Sequence, residues 1–105
     1  MDKNKLYYLC HPYTTHGNMQ ANKQDAIETE IRLEDNCGIT IINPLRLINT
    51  PDNNEAMTKC FNLLAASDAI ILCKDWNLSK GCKEEVEFAI NREKDIFLIE
   101  NIEGR

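Results

Sequence analysis

Four short apolar runs alternate with three longer segments whose apolar residues recur at helical spacing, and this alternation constrains the fold most. The apolar runs cover residues 5–10, 39–42, 69–73 and 95–100, and the helical segments cover residues 19–36, 55–66 and 81–93. A strand that is apolar throughout is typical of a parallel sheet buried on both faces. Strands that alternate with helices are joined by right-handed crossovers. The sequence therefore predicts an α/β fold of the order βαβαβαβ, with helices on both faces of the sheet.

Glycine, proline and asparagine mark where these elements end. Cys37-Gly38 is a helix stop, and Asn43-Pro44 closes the second strand. Residues 45–54 are rich in Asn and Asp, so we expect a loop with at most one helical turn there. A chain of 105 residues has the size of one domain, and no linker or low-complexity tract interrupts it. We therefore expect residues 1–105 to form a single domain.

Charge and hydropathy exclude several classes of partner. The net charge is −5, and the lysines and arginines are spread along the chain, which argues against binding to duplex nucleic acid. No apolar run approaches the roughly 20 residues of a membrane span, so no membrane partner is expected. The first residues carry charge and lack the long apolar stretch of a signal peptide. These observations predict a soluble, cytoplasmic protein.

The five cysteines do not form a metal-binding or disulfide pattern. They include no Cys-x-x-Cys pair, and neither His11 nor His16 stands at ligand spacing from a cysteine pair. An odd set of cysteines in a cytoplasmic protein is typical of reduced thiols. The sequence therefore predicts no metal site, and we expect no cofactor.

Ligands of open parallel sheets bind outside the carboxyl ends of the strands, near the point where strand order reverses. Here that edge comprises the loops of residues 11–18, 43–54 and 74–81. The candidate binding residues on them are His11, Pro12, Tyr13, Asn43, Asp75, Trp76, Ser79 and Gly81.

Each of the more distinctive candidates also has a purely structural interpretation. His11 could contact a base or phosphate, or serve as a turn residue before proline. Tyr13 could stack on a planar ligand or cover the sheet edge. Trp76 could place its ring over the ligand or pack on the helix behind it. Ser79 is at the position of an N-cap. Gly81 could let a ligand approach the backbone, or simply suit the turn.

The helix of residues 81–93 carries three glutamates close together, Glu84, Glu85 and Glu87. At about 100° per residue, its buried face is formed by Cys82, Val86, Ala89 and Ile90. Glu84 and Glu87 then face solvent, whereas Glu85 flanks the buried face in the early turns, where the helix presents its positive dipole end. Glu85 is therefore the candidate catalytic residue, although many such glutamates only offset the helix dipole.

Several motifs together resemble the nucleoside 2-deoxyribosyltransferase-like superfamily. They are Tyr8-Leu-Cys-His-Pro-Tyr13, Gly38 with Asn43-Pro44, Phe61-Asn-Leu-Leu-Ala-Ala-Ser-Asp68-Ala-Ile-Ile, and Ser79-Lys-Gly81 followed by Glu85 and Ala89. The chain is most similar to the small, often phage-encoded members grouped as domain of unknown function 4406. The resemblance implies a three-layer, flavodoxin-like or Rossmann-like doubly wound sheet of strand order 2-1-3-4.

The resemblance also implies a reaction. Enzymes of that superfamily cleave the N-glycosidic bonds of deoxynucleosides or deoxynucleotides, and Glu85 matches their nucleophile, which attacks C1′ of the sugar. The base leaves, and water or another base resolves the covalent intermediate. A carboxylate suits attack on an oxocarbenium-like centre. The implied ligand is a small-molecule nucleoside or nucleotide.

Two departures from the family pattern open alternatives. Where the enzymes have an aspartate that handles the base, this chain has Cys60, which also fits a core position on its helix. Either His11, Asp52 or Asp75 takes over the role, or activity is weak or lost. In the second case the protein binds a nucleotide without turnover or serves as an interaction module on the same fold. In the transferases a neighbouring subunit completes each site with a C-terminal segment, whereas this sequence ends soon after its fourth strand. We expect a more open pocket and a homo-oligomer.

Overall fold

The computed structural model of the chain describes residues 1–14 and 18–104, so that His16 and part of the loop at 11–18 lie outside it. The strands are β1 (Leu6–Cys10), β2 (Thr40–Ile42), β3 (Ala69–Leu72) and β4 (Asp95–Leu98). They form one parallel sheet in the order β2-β1-β3-β4. The predicted flavodoxin-like α/β fold and its strand order are confirmed.

The helices are α1 (Met19–Cys37), α2 (Pro44–Leu47), α3 (Asn53–Ala65), α4 (Lys80–Asn91) and α5 (Ile99–Glu103), and Trp76–Leu78 form a 3₁₀ turn. The short α2 is the single turn expected after β2. The stop predicted for α1 is confirmed, since Gly38 has a φ of 66° and its N–H donates to the Glu34 carbonyl at 3.0 Å. Within the described ranges, no helix has both the length and the apolar character that crossing a membrane requires.

The sheet carries a separate apolar cluster on each face, which makes the fold three-layered. On one face Tyr7, Leu9 and Ile71 pack with residues of α1 and with Ile99 of α5. On the other face Tyr8, Cys10, Ile70 and Leu72 pack with Leu64 of α3 and with Cys82, Val86 and Ala89 of α4. Because side chains alternate along a strand, neighbouring residues of β1 serve opposite layers. Tyr8 and Cys10 therefore face α3 and α4.

Asp68 forms hydrogen bonds that stabilise the amino edge of the sheet. Its Oδ2 accepts a hydrogen bond from the Leu6 N–H at 2.8 Å, and its own N–H donates to the Leu6 carbonyl at 2.9 Å. These bonds join the start of β1 to the start of β3. The aspartate of the Leu-Leu-x-x-x-Asp-x-Ile-Ile motif therefore has a structural role here, at the opposite end of the sheet from the predicted site.

The end of β4 differs from the prediction. The strand was expected to run to Glu100, but it ends at Leu98, and Ile99 begins α5. Ile99 turns into the apolar cluster beside Tyr7, and Glu103 forms a two-pronged ion pair with Arg32 of α1, at 3.0 and 3.1 Å. These contacts between distant parts of the chain favour a helical turn over a longer strand.

The apolar pattern predicts burial for two helix residues that are exposed instead, and most of β4 is also exposed. Ile90 was placed on the buried face of α4, yet 57% of it is accessible, and Phe88 packs against the cluster in its place. Ile31 of α1 is likewise 47% exposed, whereas its neighbour Glu30 is buried. Glu30 accepts hydrogen bonds from Asn43 and Arg46. Helical spacing alone did not predict that polar contacts would hold Glu30 inside.

Leu64 offers a test of the layer formed by α3 and α4. It is fully buried in the cluster that also contains Tyr8 and Val86, so Leu64→Ala leaves a cavity and removes apolar contacts. We expect a loss of about 2 to 5 kcal/mol in the free energy of unfolding, measured with urea. The same substitution at Leu47, which is largely exposed, is the control and should change it by less than about 0.5 kcal/mol. Equal effects at both positions would contradict the described packing.

Candidate active site

A cavity of about 390 Å³ lies at the carboxyl edge of the sheet. Its walls come from the segment after β1, from α2, from the amino-terminal part of α3 and from the start of α4. The lining residues are His11, Tyr13, Thr14, Pro44, Leu45, Ile48, Thr50, Asn53, Asn54, Ala56, Met57, Cys60, Ser79, Lys80, Gly81, Cys82, Glu84 and Glu85. The chain passes from β1 to β2 on one side and then crosses from β2 to β3 on the other side of β1, so the strand order reverses beside this cavity.

Glu85 is a buried carboxyl group in the cavity wall, with 6% of its surface exposed. The hydroxyl of Tyr8, which is fully buried on β1, donates a hydrogen bond to Oε2 of Glu85. The Cys10 thiol lies 3.9 Å from Oε1 and donates to it. The acid that the sequence selected is therefore held from the sheet by two side chains of β1.

The burial of Glu85 changes its acidity. Loss of solvent raises its pKa from the ordinary value of 4.5 to about 7, and the charge of Glu84 adds to this rise. The hydrogen bonds from Tyr8 and Cys10 oppose it, because they favour the charged form. Burial, followed by the charge of Glu85, raises the pKa of Tyr8 well above its usual value, so Tyr8 remains a donor. At neutral pH a large fraction of Glu85 is therefore an ionised, hydrogen-bonded carboxylate.

Cys60 lies in both the core and the cavity wall. It packs against the apolar cluster of α3 and α4, as its helical position predicted, and it also lines the cavity. Burial and the charge of Glu85 raise its pKa to about 11, although a hydrogen bond with Tyr8 opposes the rise. The group at this position is therefore a neutral thiol in contact with Tyr8, where the resemblance implied an aspartate in the transferases.

Four of the predicted binding residues line the cavity: His11, Tyr13, Ser79 and Gly81. His11 is nearly buried, with Nδ1 2.7 Å from the Pro12 carbonyl and Nε2 2.7 Å from an oxygen of Asp25. Both ring nitrogens therefore face acceptors that belong to the protein. Ser79 is the N-cap of α4, as predicted, and its hydroxyl accepts from the Cys82 N–H at 3.2 Å.

The other predicted residues lie near the cavity, but its described lining does not include them: Pro12, Asn43, Asp75 and Trp76. Asn43 is buried, caps α2 and donates to Glu30 at 3.1 Å. Trp76 packs against the cluster that contains Tyr8, in agreement with the structural interpretation of this residue. Asp75 has a positive φ of 65° at the start of the 3₁₀ turn. Asp52 caps α3 through two backbone N–H groups.

The sequence did not identify several residues of the site. Tyr8 and Cys10 were assigned only to a buried strand, and Glu84 was expected in solvent but is partly buried and lines the cavity. The two-residue spacing of Tyr8 and Cys10 puts both side chains on one face of β1. That spacing would have indicated them only if the face covered by α4 had been known.

The same region holds a group of possible metal ligands. The sulfur atoms of Cys10 and Cys82 and a carboxylate oxygen of Glu85 all lie within 4.8 Å of one another, and all three residues are buried. Cys10 and Cys82 are far apart in the sequence, so no ligand spacing reveals them. The folded chain brings together a set of donors that was not expected from the cysteine pattern.

The acidity of Glu85 predicts a dependence of stability on pH. Its pKa is about 7 in the folded chain against 4.5 ordinarily, so the folded state keeps a proton between these values that the unfolded state releases. The free energy of unfolding should therefore fall as pH rises through this interval, by about 3 kcal/mol over its full width. Urea unfolding at a series of pH values measures it.

The difference between variants isolates this contribution from other titrating groups. Glu85→Gln should remove it, whereas Glu87→Gln, on the exposed side of α4, should retain it. An identical pH dependence in wild-type protein and in Glu85→Gln would contradict the assigned burial.

Comparison with known proteins agrees with the fold. The chain is similar to the solved structure of a 2-desoxiribosyltransferase from Leishmania mexicana, with a TM-score of 0.69 and 19% sequence identity. The match covers 90% of this chain and 63% of that one, so the chain spans less than two thirds of its neighbour's length. At this identity the likeness establishes the shared architecture.

No curated protein matches the chain. A family model described as a domain of unknown function (DUF4406) matches residues 5–98, which is most of the sequence. The match includes all four strands and both Tyr8 and Glu85. The chain therefore belongs to the DUF4406 family.

Proposed function

We propose that the chain binds a nucleoside or nucleotide in the cavity and cleaves or transfers it at the N-glycosidic bond, with Glu85 as the nucleophile. The observation that carries the proposal is the buried Glu85 carboxyl group, which lines the cavity and accepts a hydrogen bond from Tyr8. The similarity of the fold to a 2-desoxiribosyltransferase supports a deoxyribosyl substrate.

The reaction proposed for Glu85 is a substitution at C1′ of the sugar. A carboxylate oxygen forms a bond to C1′ while the bond from C1′ to the base nitrogen breaks, and the base leaves with the electron pair. Tyr8 holds Oε2 and so fixes the orientation of the carboxylate. Attack by water or by a second base then breaks the glycosyl ester and restores Glu85.

The cavity suits a ligand of this class in size and lining. Its volume of about 390 Å³ is within the range of small-molecule pockets. Polar side chains of Thr50, Asn53 and Asn54 share the wall with apolar Ile48 and Met57. Amide and hydroxyl groups suit the edges of a base and the hydroxyls of a sugar, and the apolar groups suit the faces of a planar base.

Release of free base from a panel of deoxynucleosides and deoxynucleotides tests the proposal. We expect the wild-type protein to release base from at least one substrate, and Glu85→Ala to reduce release to the uncatalysed level, because the nucleophile is gone. Glu87→Gln, on the exposed side of the same helix, should retain the wild-type rate. Chromatography of the free base is the measurement. Release that survives in Glu85→Ala would refute the role of Glu85.

A second candidate function is nucleotide binding without turnover, and Cys60 is the observation that favours it. A thiol with a pKa of about 11 is a weak donor for a departing base. Under this alternative, calorimetry would detect binding of a nucleotide that is recovered intact. Glu85→Ala would then leave the affinity largely unchanged.

Cys60→Asp tests whether the thiol limits turnover. An acid at this position can donate a proton to the leaving base, and general acid catalysis contributes about 10²- to 10⁴-fold. We expect kcat for base release to rise by a factor in this range and its pH optimum to move upward, because a second carboxyl group raises the pKa of Glu85 further. Cys60→Asn, which has a similar shape without the acidic proton, is the control. Equal rates in the two variants would exclude this role for position 60.

A further inference from the structure

The three buried ligand groups beside the cavity have the geometry of a metal site. Cys10 ends β1, Cys82 is in the first turn of α4, and Glu85 lies one turn later on the same face of that helix. Tetrahedral zinc bonds of about 2.0 to 2.3 Å place neighbouring ligand atoms about 3.3 to 3.8 Å apart. The distance of 3.9 Å from the Cys10 sulfur to Oε1 of Glu85 is slightly longer than that range. The remaining separations are at most 4.8 Å, so small side-chain movements suffice.

The cavity supplies both an entrance and a fourth ligand. Cys82 and Glu85 line it, whereas Cys10 lies behind them and is fully buried. An ion that enters from the cavity therefore meets two ligands at the wall and the third at the back. A water molecule can complete a tetrahedral set. The Cys60 thiol, which lines the cavity outside the group of ligand atoms within 4.8 Å of one another, can do so only after a side-chain movement.

A neighbouring side chain orients the Glu85 ligand by a hydrogen bond, as groups beside the metal ligands do in zinc proteins. Tyr8 donates to Oε2 of Glu85, which leaves Oε1 directed towards Cys10. Ligating carboxylates are commonly fixed by such second hydrogen bonds. Thiol sulfur also selects soft or borderline cations such as Zn²⁺ over Mg²⁺ or Ca²⁺, which prefer oxygen.

We propose that Cys10, Cys82 and Glu85 form a binding site for a thiophilic divalent cation such as Zn²⁺. As each sulfur–metal bond forms, the thiol loses its proton to solvent through the cavity, and Glu85 binds as the carboxylate. Two thiolates and one carboxylate then bring three negative charges to the doubly charged ion, so the occupied site has a net charge of −1. Because these protons are released, affinity rises with pH.

This site uses the same carboxylate as the proposed glycosidic chemistry. A bound ion holds the oxygen of Glu85 that would otherwise attack C1′, so metal binding and base release exclude each other. This consequence, unlike the site itself, rests on the proposed function. The cation would then act as an inhibitor of the site and not as its cofactor.

Binding of Co²⁺ to metal-free, reduced protein tests the site without any nucleoside. Co²⁺ bound by cysteine thiolates gives a sulfur-to-metal charge-transfer band in the near ultraviolet, and Zn²⁺ should displace it. We expect the band in wild-type protein and in Cys37→Ser, because Cys37 packs on the opposite face of the sheet. Cys10→Ser and Cys82→Ser should lose it. A band that persists in both variants would overturn the proposal, as would none in wild type.

Two further measurements distinguish loss of a metal ligand from misfolding of a cysteine variant. Tyr8→Phe keeps all three ligands but loses the group that orients Glu85, so we expect its Co²⁺ affinity to fall by about 10- to 100-fold. An unchanged affinity would contradict the orientation of the carboxylate. X-ray absorption of the Zn²⁺-loaded wild-type protein needs no variant and should show two or three sulfur neighbours at about 2.3 Å. A shell of oxygen and nitrogen alone would refute the site.

The inhibitory consequence is tested separately. If base release is detected, Zn²⁺ should suppress it in the wild-type protein, and a chelator should restore it. Suppression of equal strength in Cys10→Ser would show that inhibition does not use this site. If no substrate releases base, the proposed function fails, while the Co²⁺ spectrum still decides the metal site.

Discussion

The buried hydrogen bond from Tyr8 to Glu85 joins the centre of the sheet to α4, and the organisation of the site depends on it. Burying a carboxyl group without a partner costs several kcal/mol, about enough to unfold a marginal domain. Two donors on β1 and partial protonation reduce that cost. They also fix where α4 lies relative to β1, so the same interaction that makes the burial tolerable holds Glu85 in the wall of the cavity.

The fold could be predicted because its signal is local. Runs such as 69–72 are apolar throughout, and the alternation of strands and helices admits few arrangements. The errors in the predicted elements arise where contacts between residues distant in the sequence determine the local structure. Ile99 enters a helix because its apolar cluster and the Arg32–Glu103 ion pair lie elsewhere in the chain. Ile90 is exposed, whereas Phe88 of the same helix stacks on Phe61 of α3 with ring centroids 4.9 Å apart, a contact between distant parts of the chain.

The site could be predicted less completely, because side-chain direction is not a property of sequence spacing alone. The strand-end rule correctly selected the edge of the sheet that holds the cavity. It could not distinguish His11, which lines the cavity, from Asn43, whose amide turns away to Glu30. The hydrogen bond of Tyr8 could not be predicted for the same reason. A tyrosine in a buried strand is interpreted as a core residue unless the opposing helix is known to carry an acid.

Cys60 links the proposed activity to the state of Glu85. An aspartate at that position would offer a proton to a leaving base, yet its charge would raise the pKa of Glu85 beyond the value of about 7 that burial already produces. A neutral thiol adds no charge, so Glu85 remains substantially ionised at neutral pH. The site therefore has no strong proton donor at position 60 but has a carboxylate that is substantially ionised. Under the proposed function, that combination favours substrates whose base leaves without strong acid assistance, and a thiophilic cation bound at Cys10 and Cys82 would compete with such a substrate for the same carboxylate.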